Sequence, residues 1–227
     1  MGPVLEMRNL IASTLLSALV LSGCGNDTES FATARAMKTT VSDRVSGAGK
    51  AKPAAAPPQI TRAILAQILT PVQLVTLEKR KQQAVIGPVA TNQGVETWSS
   101  VDKVTISFRK GVIVATRGLG ADLMAADVPA VATLTGATSA YGRIHTELNG
   151  LDQAVRTSYS CQVTERNAQA IEVVEISYPT TYIRETCTSS GATFANEYWI
   201  DKAQKIRKSK QWISEEVGYV TIQDLRP

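Results

Sequence analysis

From Val72 onward the chain consists of short runs of alternating apolar and polar residues, each closed by a turn signal. A period of two puts the apolar side chains on one face of a strand. Val104, Ile106 and Phe108 against Thr105, Ser107 and Arg109 is the clearest case. Asn92-Gln93-Gly94, Lys110-Gly111 and Asn149-Gly150 are turn sequences whose Asn and Gly tolerate positive φ. Strands are expected at 72–77, 82–90, 94–98, 104–108, 112–116, 141–148, 151–160, 157–164, 171–178, 181–187, 194–200, 205–213 and 219–224. Some of these runs overlap, so the reading is of about ten short strands with turns every eight to twelve residues. That predicts a mainly β fold, an antiparallel meander sheet closing into a barrel-like or sandwich domain. One short N-terminal helix precedes it: Thr61 is its cap, Ile60, Ile64, Leu65, Ile68 and Leu69 its stripe, and Pro71 its stop.

Four local features carry further expectations. Pro88 marks an edge position. Val112 to Thr116 is apolar on both faces, which predicts a covered central strand. Asp122 to Ala126 reads as a short helix followed by a surface loop. The apolar phase slips between Val173 and Val174, where a bulge would restore it.

The N-terminus belongs to a different regime. Leu10 to Leu21 carries no charge. It is too short for a hydrocarbon core of about 30 Å but has the length of a secretory h-region. Arg8 supplies its positive flank, and Met7 is a plausible start. Leu21-Ser22-Gly23-Cys24 follows and resembles the lipobox of bacterial lipoproteins. The resemblance implies cleavage after Gly23 and acylation of Cys24, palmitate included. Residues 1–23 are then a signal peptide and 24–58 a lipidated Ala/Pro/Gly-rich tether with few core-forming residues. Residues 59–227 are read as a single β domain. By resemblance to lipoprotein sorting rules, Gly25 and Asn26 after the cysteine imply outer-membrane anchoring, with the domain facing the periplasm.

Cys161 and Cys187 then sit in an oxidising compartment and are candidates for a disulfide. If 170–178 formed a strand between the two cysteine strands, the thiols would be about 10 Å apart, too far to join. Two buried thiols are the alternative. The net charge of +4 allows an anionic partner without requiring one.

The chemistry-bearing residues favour binding over catalysis. His145 is the single histidine, read as a surface or hairpin residue, so a Ser–His–Asp arrangement would have to use it. Glu172, Glu175, Glu185 and Glu197 are the carboxylates a glycoside hydrolase would draw on, but their alternation fits a solvated outer face. No metal site or cofactor is implied. Arg117-Gly118-Leu119-Gly120 begins like a dinucleotide loop, but Leu123 stands where the third glycine belongs, and no nucleic acid or nucleotide partner is expected. Arg117 and Asp122 can pair across this loop and are also candidates for glycan or partner binding. Arg207, Lys208 and Lys210, with Trp199 and Trp212, combine cations and rings suited to an acidic polysaccharide. Their strand is read as an exposed, charged edge.

Two stretches read together, Gly111 to Met124 and Ile183 through Tyr198-Trp199-Ile200-Asp201 to Ile213, resemble the YjbF/GfcB family of group 4 capsule lipoproteins. The likeness runs over residues 60–227. It implies a barrel-like β domain and a setting in exopolysaccharide or capsule production and export, with envelope export proteins as partners. It supplies no catalytic residues. The expected function is a non-enzymatic envelope lipoprotein that binds glycan or an export partner. A periplasmic polysaccharide-processing hydrolase is the alternative.

Overall fold

The computed structural model describes residues 60–136 and 138–225; Cys24, the signal segment and the tether lie outside the described residues. Twelve strands follow in chain order: β1 (Gln73–Leu77), β2 (Gln82–Asn92), β3 (Val95–Ser99), β4 (Thr105–Arg109), β5 (Val112–Arg117), β6 (Leu123–Asp127), β7 (Tyr141–Leu148), β8 (Ala154–Val173), β9 (Ile176–Thr188), β10 (Thr193–Ile200), β11 (Ile206–Ser214) and β12 (Gly218–Asp224). They form one sheet in the order β5-β4-β3-β2-β1-β12-β11-β10-β9-β8-β7-β6. Each neighbour in that order is also a neighbour in the chain, except where β12 returns to β1. The meander is antiparallel throughout and nearly closed into a barrel. Two short helices, α1 (Arg62–Leu65) and α2 (Val131–Gly136), complete the described residues.

The two ends of the sheet, β5 and β6, meet without a ladder. Side chains take the place of the missing backbone bonds. Arg117 donates to the carbonyls of Leu123 (3.3 Å) and Met124 (3.1 Å). The carboxylate of Asp122 accepts from the Gly118 N–H (2.8 Å), the Leu119 N–H (3.1 Å) and the Thr116 hydroxyl (2.7 Å). From β11, the Gln211 amide behaves like a strand neighbour: it accepts from the Ile113 N–H (2.9 Å) and donates to the Gly111 carbonyl (3.0 Å). Buried backbone groups must find partners, and here they find them in the seam.

The apolar faces fill the interior in three groups. Val75, Ile86, Trp98, Ile106, Phe108, Ile213, Val220 and Ile222 pack together beneath β1–β4 and β11–β12. Beneath β7–β11, Val131 and Leu134 of α2 plug one end with Ile183, Tyr198 and Ile200, and Tyr159, Phe194 and the two cysteines fill the other. A fourth group lies apart, where Ile60, Leu65 and Ile68 cover Val72, Val173, Tyr178 and Leu225.

Several local expectations give way. Thr61 caps α1, but the helix is only four residues long, and Leu69 ends 90% exposed. Leu123–Asp127 is a strand, not a helix, because its alternate residues pair with β7; the helix of this region is α2. β5 is buried but terminal in the hydrogen-bonded order, its edge covered by α2 and Gln211 in place of a further strand. Pro88 sits where β2 changes partner from β1 to β3, so its missing N–H faces the side β1 no longer reaches. Residues 154–173 are one strand, not several. Val174 and Glu175, with φ of 43° and 66°, form a two-residue turn where a bulge was expected. β8 and β9 are therefore adjacent, Cys161 lies directly opposite Cys187, and the two form a disulfide.

Candidate functional site

The outer face of the sheet carries an open groove of about 470 Å³ lined by Glu165, Asn167, Ala168, Gln169, Tyr182, Glu197 and Trp199. Strand register builds it. Asn167 pairs with Tyr182, and Tyr182 with Trp199, so three neighbouring strands point these side chains the same way. The rings of Tyr182 and Trp199 lie 5.2 Å apart, tilted by 53°. The Trp199 indole N–H donates to the Gln169 amide oxygen (3.0 Å), and Asn167 donates to Glu165 (3.0 Å). Partial burial pushes the Tyr182 hydroxyl above its ordinary pKa, so it stays protonated.

Cations border the groove. Lys208, opposite Trp199 on β11, holds its ammonium 4.7 Å from the indole centroid. Lys210 lies 5.0 Å over the Tyr219 ring. Arg184 pairs with Glu197 at 2.7 Å, partly exposed. The two rings are mostly covered, Trp199 8% and Tyr182 9% exposed, so a ligand meets their edges together with amide and carboxylate groups. That chemistry suits a hydroxyl-rich polymer, whose hydroxyls bond to amides and carboxylates.

Of the residues singled out from the sequence, Trp199, Lys208 and Lys210 come together here. β11 is not the exposed edge that was expected: β10 and β12 flank it. Arg207 turns away, pairing with Asp201 (2.8 Å) and Asp224 (3.5 Å) and stacking 4.4 Å from the Tyr178 ring. Trp212 is stacked 4.6 Å from Phe194 and belongs to a ring cluster. β10 and β11 pair only over Glu197–Ile200. Beyond that the strands part, and side chains seal the gap: Asn196 accepts from the Trp212 N–H (2.8 Å), and the Tyr219 hydroxyl accepts from the Ala195 N–H (3.2 Å). Arg117 and Asp122 do not pair; both are engaged in closing the barrel, on separate partners.

A second polar constellation lies inside the barrel. On β9, Glu185 falls between Ile183 and Cys187 on the inward face. It is fully buried and accepts from Arg143 (2.8 Å), Asn196 (2.8 Å) and the Tyr198 hydroxyl (3.2 Å) on one oxygen. Burial, then this carboxylate, pushes the hydroxyls of Tyr141 and Tyr198 far above their ordinary range. His145 is also interior, 2% exposed, stacked against Phe194 and Trp212, and neither ring nitrogen has a hydrogen-bond partner. Burial, helped by the Arg143 charge, lowers its pKa to about 3, so it is neutral. The outward placement read for Glu185 and His145 is thus wrong. Both are core residues, and neither is open to a polymer. Cys161, Glu185 and Cys187 cluster closely enough to suit a metal, but the disulfide occupies both thiols.

Sequence reasoning missed Asn167, Gln169 and Tyr182. The available signal was parity: once β8 and β9 are placed as one hairpin, the residues opposite one another share a face.

A family model described as group 4 capsule polysaccharide lipoprotein GfcB, YjbF matches residues 31–225. Among solved structures, the hypothetical lipoprotein YmcC from Escherichia coli (K12) aligns with a TM-score of 0.65 at 13% identity, over 86% of this chain and 95% of that one. At that identity the likeness is one of fold. No curated protein matches.

Proposed function

Because the chain belongs to the YjbF family of group 4 capsule polysaccharide lipoproteins, we propose that it is a non-enzymatic envelope lipoprotein that holds a glycan chain in the outer groove of its barrel during capsule or exopolysaccharide production or export. Cys24 carries the lipid, and the anchor sits in the outer membrane with the barrel facing the periplasm. The observation that carries the binding role is the groove itself, with Tyr182 and Trp199 at its floor, Asn167, Gln169 and Glu165 as hydrogen-bonding groups and Lys208 beside it. Lys208 and Lys210 favour an anionic polymer, and the paired Arg184 and Glu197 add polar contacts.

The hydrolase reading fares worse. It needs two accessible carboxylates flanking a bond. In the groove Glu197 is held by Arg184 and Glu165 accepts from Asn167, while Glu185 is sealed inside and Glu172 and Glu175 lie at the β8–β9 turn.

Affinity electrophoresis through gels containing the purified acidic exopolysaccharide of the producing cell tests the proposal. Retardation that weakens with salt, and that Trp199→Ala and Lys208→Ala each reduce, supports it. Mobility unchanged by the polysaccharide overturns it.

A further inference from the structure

β8 outruns its neighbour. β7 pairs with it only from Ala154 to Cys161, and β10 covers β9 only from Thr181 to Thr188. The remainder, residues 169–173 of β8 with 176–180 of β9, is a two-stranded arm, and β8 has no β7 partner beyond Cys161. Arg62 of α1 fastens its tip, donating to the carbonyls of Val173, Val174 and Leu225. One long side of the arm, the β8 side, has no strand beside it.

Which backbone groups face that side follows from the turn. Val174 and Glu175 both have positive φ, the signature of a type I′ hairpin, in which the flanking residues exchange both hydrogen bonds. Val173 and Ile176 are those residues. Counting back in twos, Ile171, Gln169 and Asn167 bond to β9, while Arg166, Ala168, Ala170 and Glu172 aim N–H and C=O away from it. Asn167–Ala170 and Glu172 are exposed. The stretch contains no proline or lysine, the usual guards of a bare edge.

We propose that this edge pairs with the same edge of a second copy of the chain, antiparallel, about a two-fold axis at Gln169. The sequence is self-complementary in that register. Ala168 faces Ala170 of the other copy, and Arg166 faces Glu172, so two opposite-charge pairs flank a centre of small side chains. Within its own chain Arg166 Nη2 donates to the Leu134 carbonyl (3.1 Å). Registers two residues away set Glu172 opposite Thr164 or Ala168 and lose both charge pairs. The contact is isologous and closes at two copies. It forms about eight backbone hydrogen bonds. Asn167 and Gln169 of both copies then lie on one continuous sheet face, so the two grooves adjoin; only this last consequence rests on the glycan reading.

Gln169 meets its own counterpart at a non-hydrogen-bonded position, where Cα atoms approach to about 4.5 Å, within disulfide reach. The full chain with Gln169→Cys, expressed in its own cells and treated briefly with copper phenanthroline, should give a disulfide-linked dimer on non-reducing gels. Leu151→Cys, 78% exposed in the turn between β7 and β8, reports random collision. Cross-linking of the Gln169→Cys chain should exceed that control at least tenfold. It should fall to the control level when Arg166→Glu is added and return when Glu172→Arg is added as well. Cross-linking no faster than Leu151→Cys, or unaffected by the charge reversal, overturns the proposal. The cross-link reports the strand edge and not glycan binding, which affinity electrophoresis reads separately, so failure of the dimer leaves the groove untouched.

Discussion

His145→Phe should flatten the acid side of the stability curve. In the folded protein the His145 pKa is lowered to about 3 by burial and by Arg143. In the unfolded chain it returns to its ordinary value of 6.5. Below pH 6.5 the unfolded state therefore binds a proton that the folded state refuses until about pH 3. Stability is complete above 6.5 and falls as the pH drops toward 3, by about 1.4 kcal/mol per unit. Between pH 7 and pH 5 the loss from this one group is about 2 kcal/mol. Phenylalanine keeps the ring against Phe194 and Trp212, 5.6 and 5.7 Å away, and removes two nitrogens that have no partner. At pH 7 the variant should match the parent to within about 1 kcal/mol. Urea unfolding at pH 7, 6 and 5, with the disulfide intact, gives the comparison. Carboxylate contributions are common to both proteins and cancel in the difference. If parent and variant lose the same stability from pH 7 to 5, the histidine is not held neutral in the core and the reasoning is refuted.

Glu185→Gln leaves Arg143 buried without its counter-charge and should cost about 3–5 kcal/mol in the same assay, whereas the double change Arg143→Met, Glu185→Leu should cost less than either single one. Arg62→Ala releases the carbonyls of Val173 and Val174 at the arm tip and of Leu225 after β12, and amide exchange at 173–176 should accelerate at least tenfold with little change in the barrel strands. Replacing both Cys161 and Cys187 with alanine should lower unfolding stability by about 2–4 kcal/mol, since the bridge links residues 26 apart.

The fold was legible because a period of two survives in almost every strand. The barrel follows from short strands that meander. What escaped detection did so for particular reasons. Val174-Glu175 is not a turn sequence; a β-branched residue at positive φ is uncommon, and here Arg62 and the packing of Val174 beside Val173 and Tyr178 hold it in place. Missing that turn separated the cysteines by a strand that does not exist. Alternation shows that Glu185 and His145 share a face with their second neighbours, but it cannot say which face is inside when ion pairs and stacked rings occupy the core. Arg207 and Lys208 are adjacent cations with opposite fates, one engaged with Asp201 and Asp224, the other beside Trp199. Trp199 and Lys208 could be chosen from composition. Their partners Tyr182, Asn167 and Gln169 lie 17 to 41 residues away in sequence and are joined only by register.

Hydrogen exchange of the full chain with and without the purified exopolysaccharide is the most direct measurement of the central claim. Slowed exchange confined to 165–169, 182 and 197–199 is the predicted result. Protection that leaves these amides unchanged, or that gathers at the far-end turns around Leu151, would contradict it.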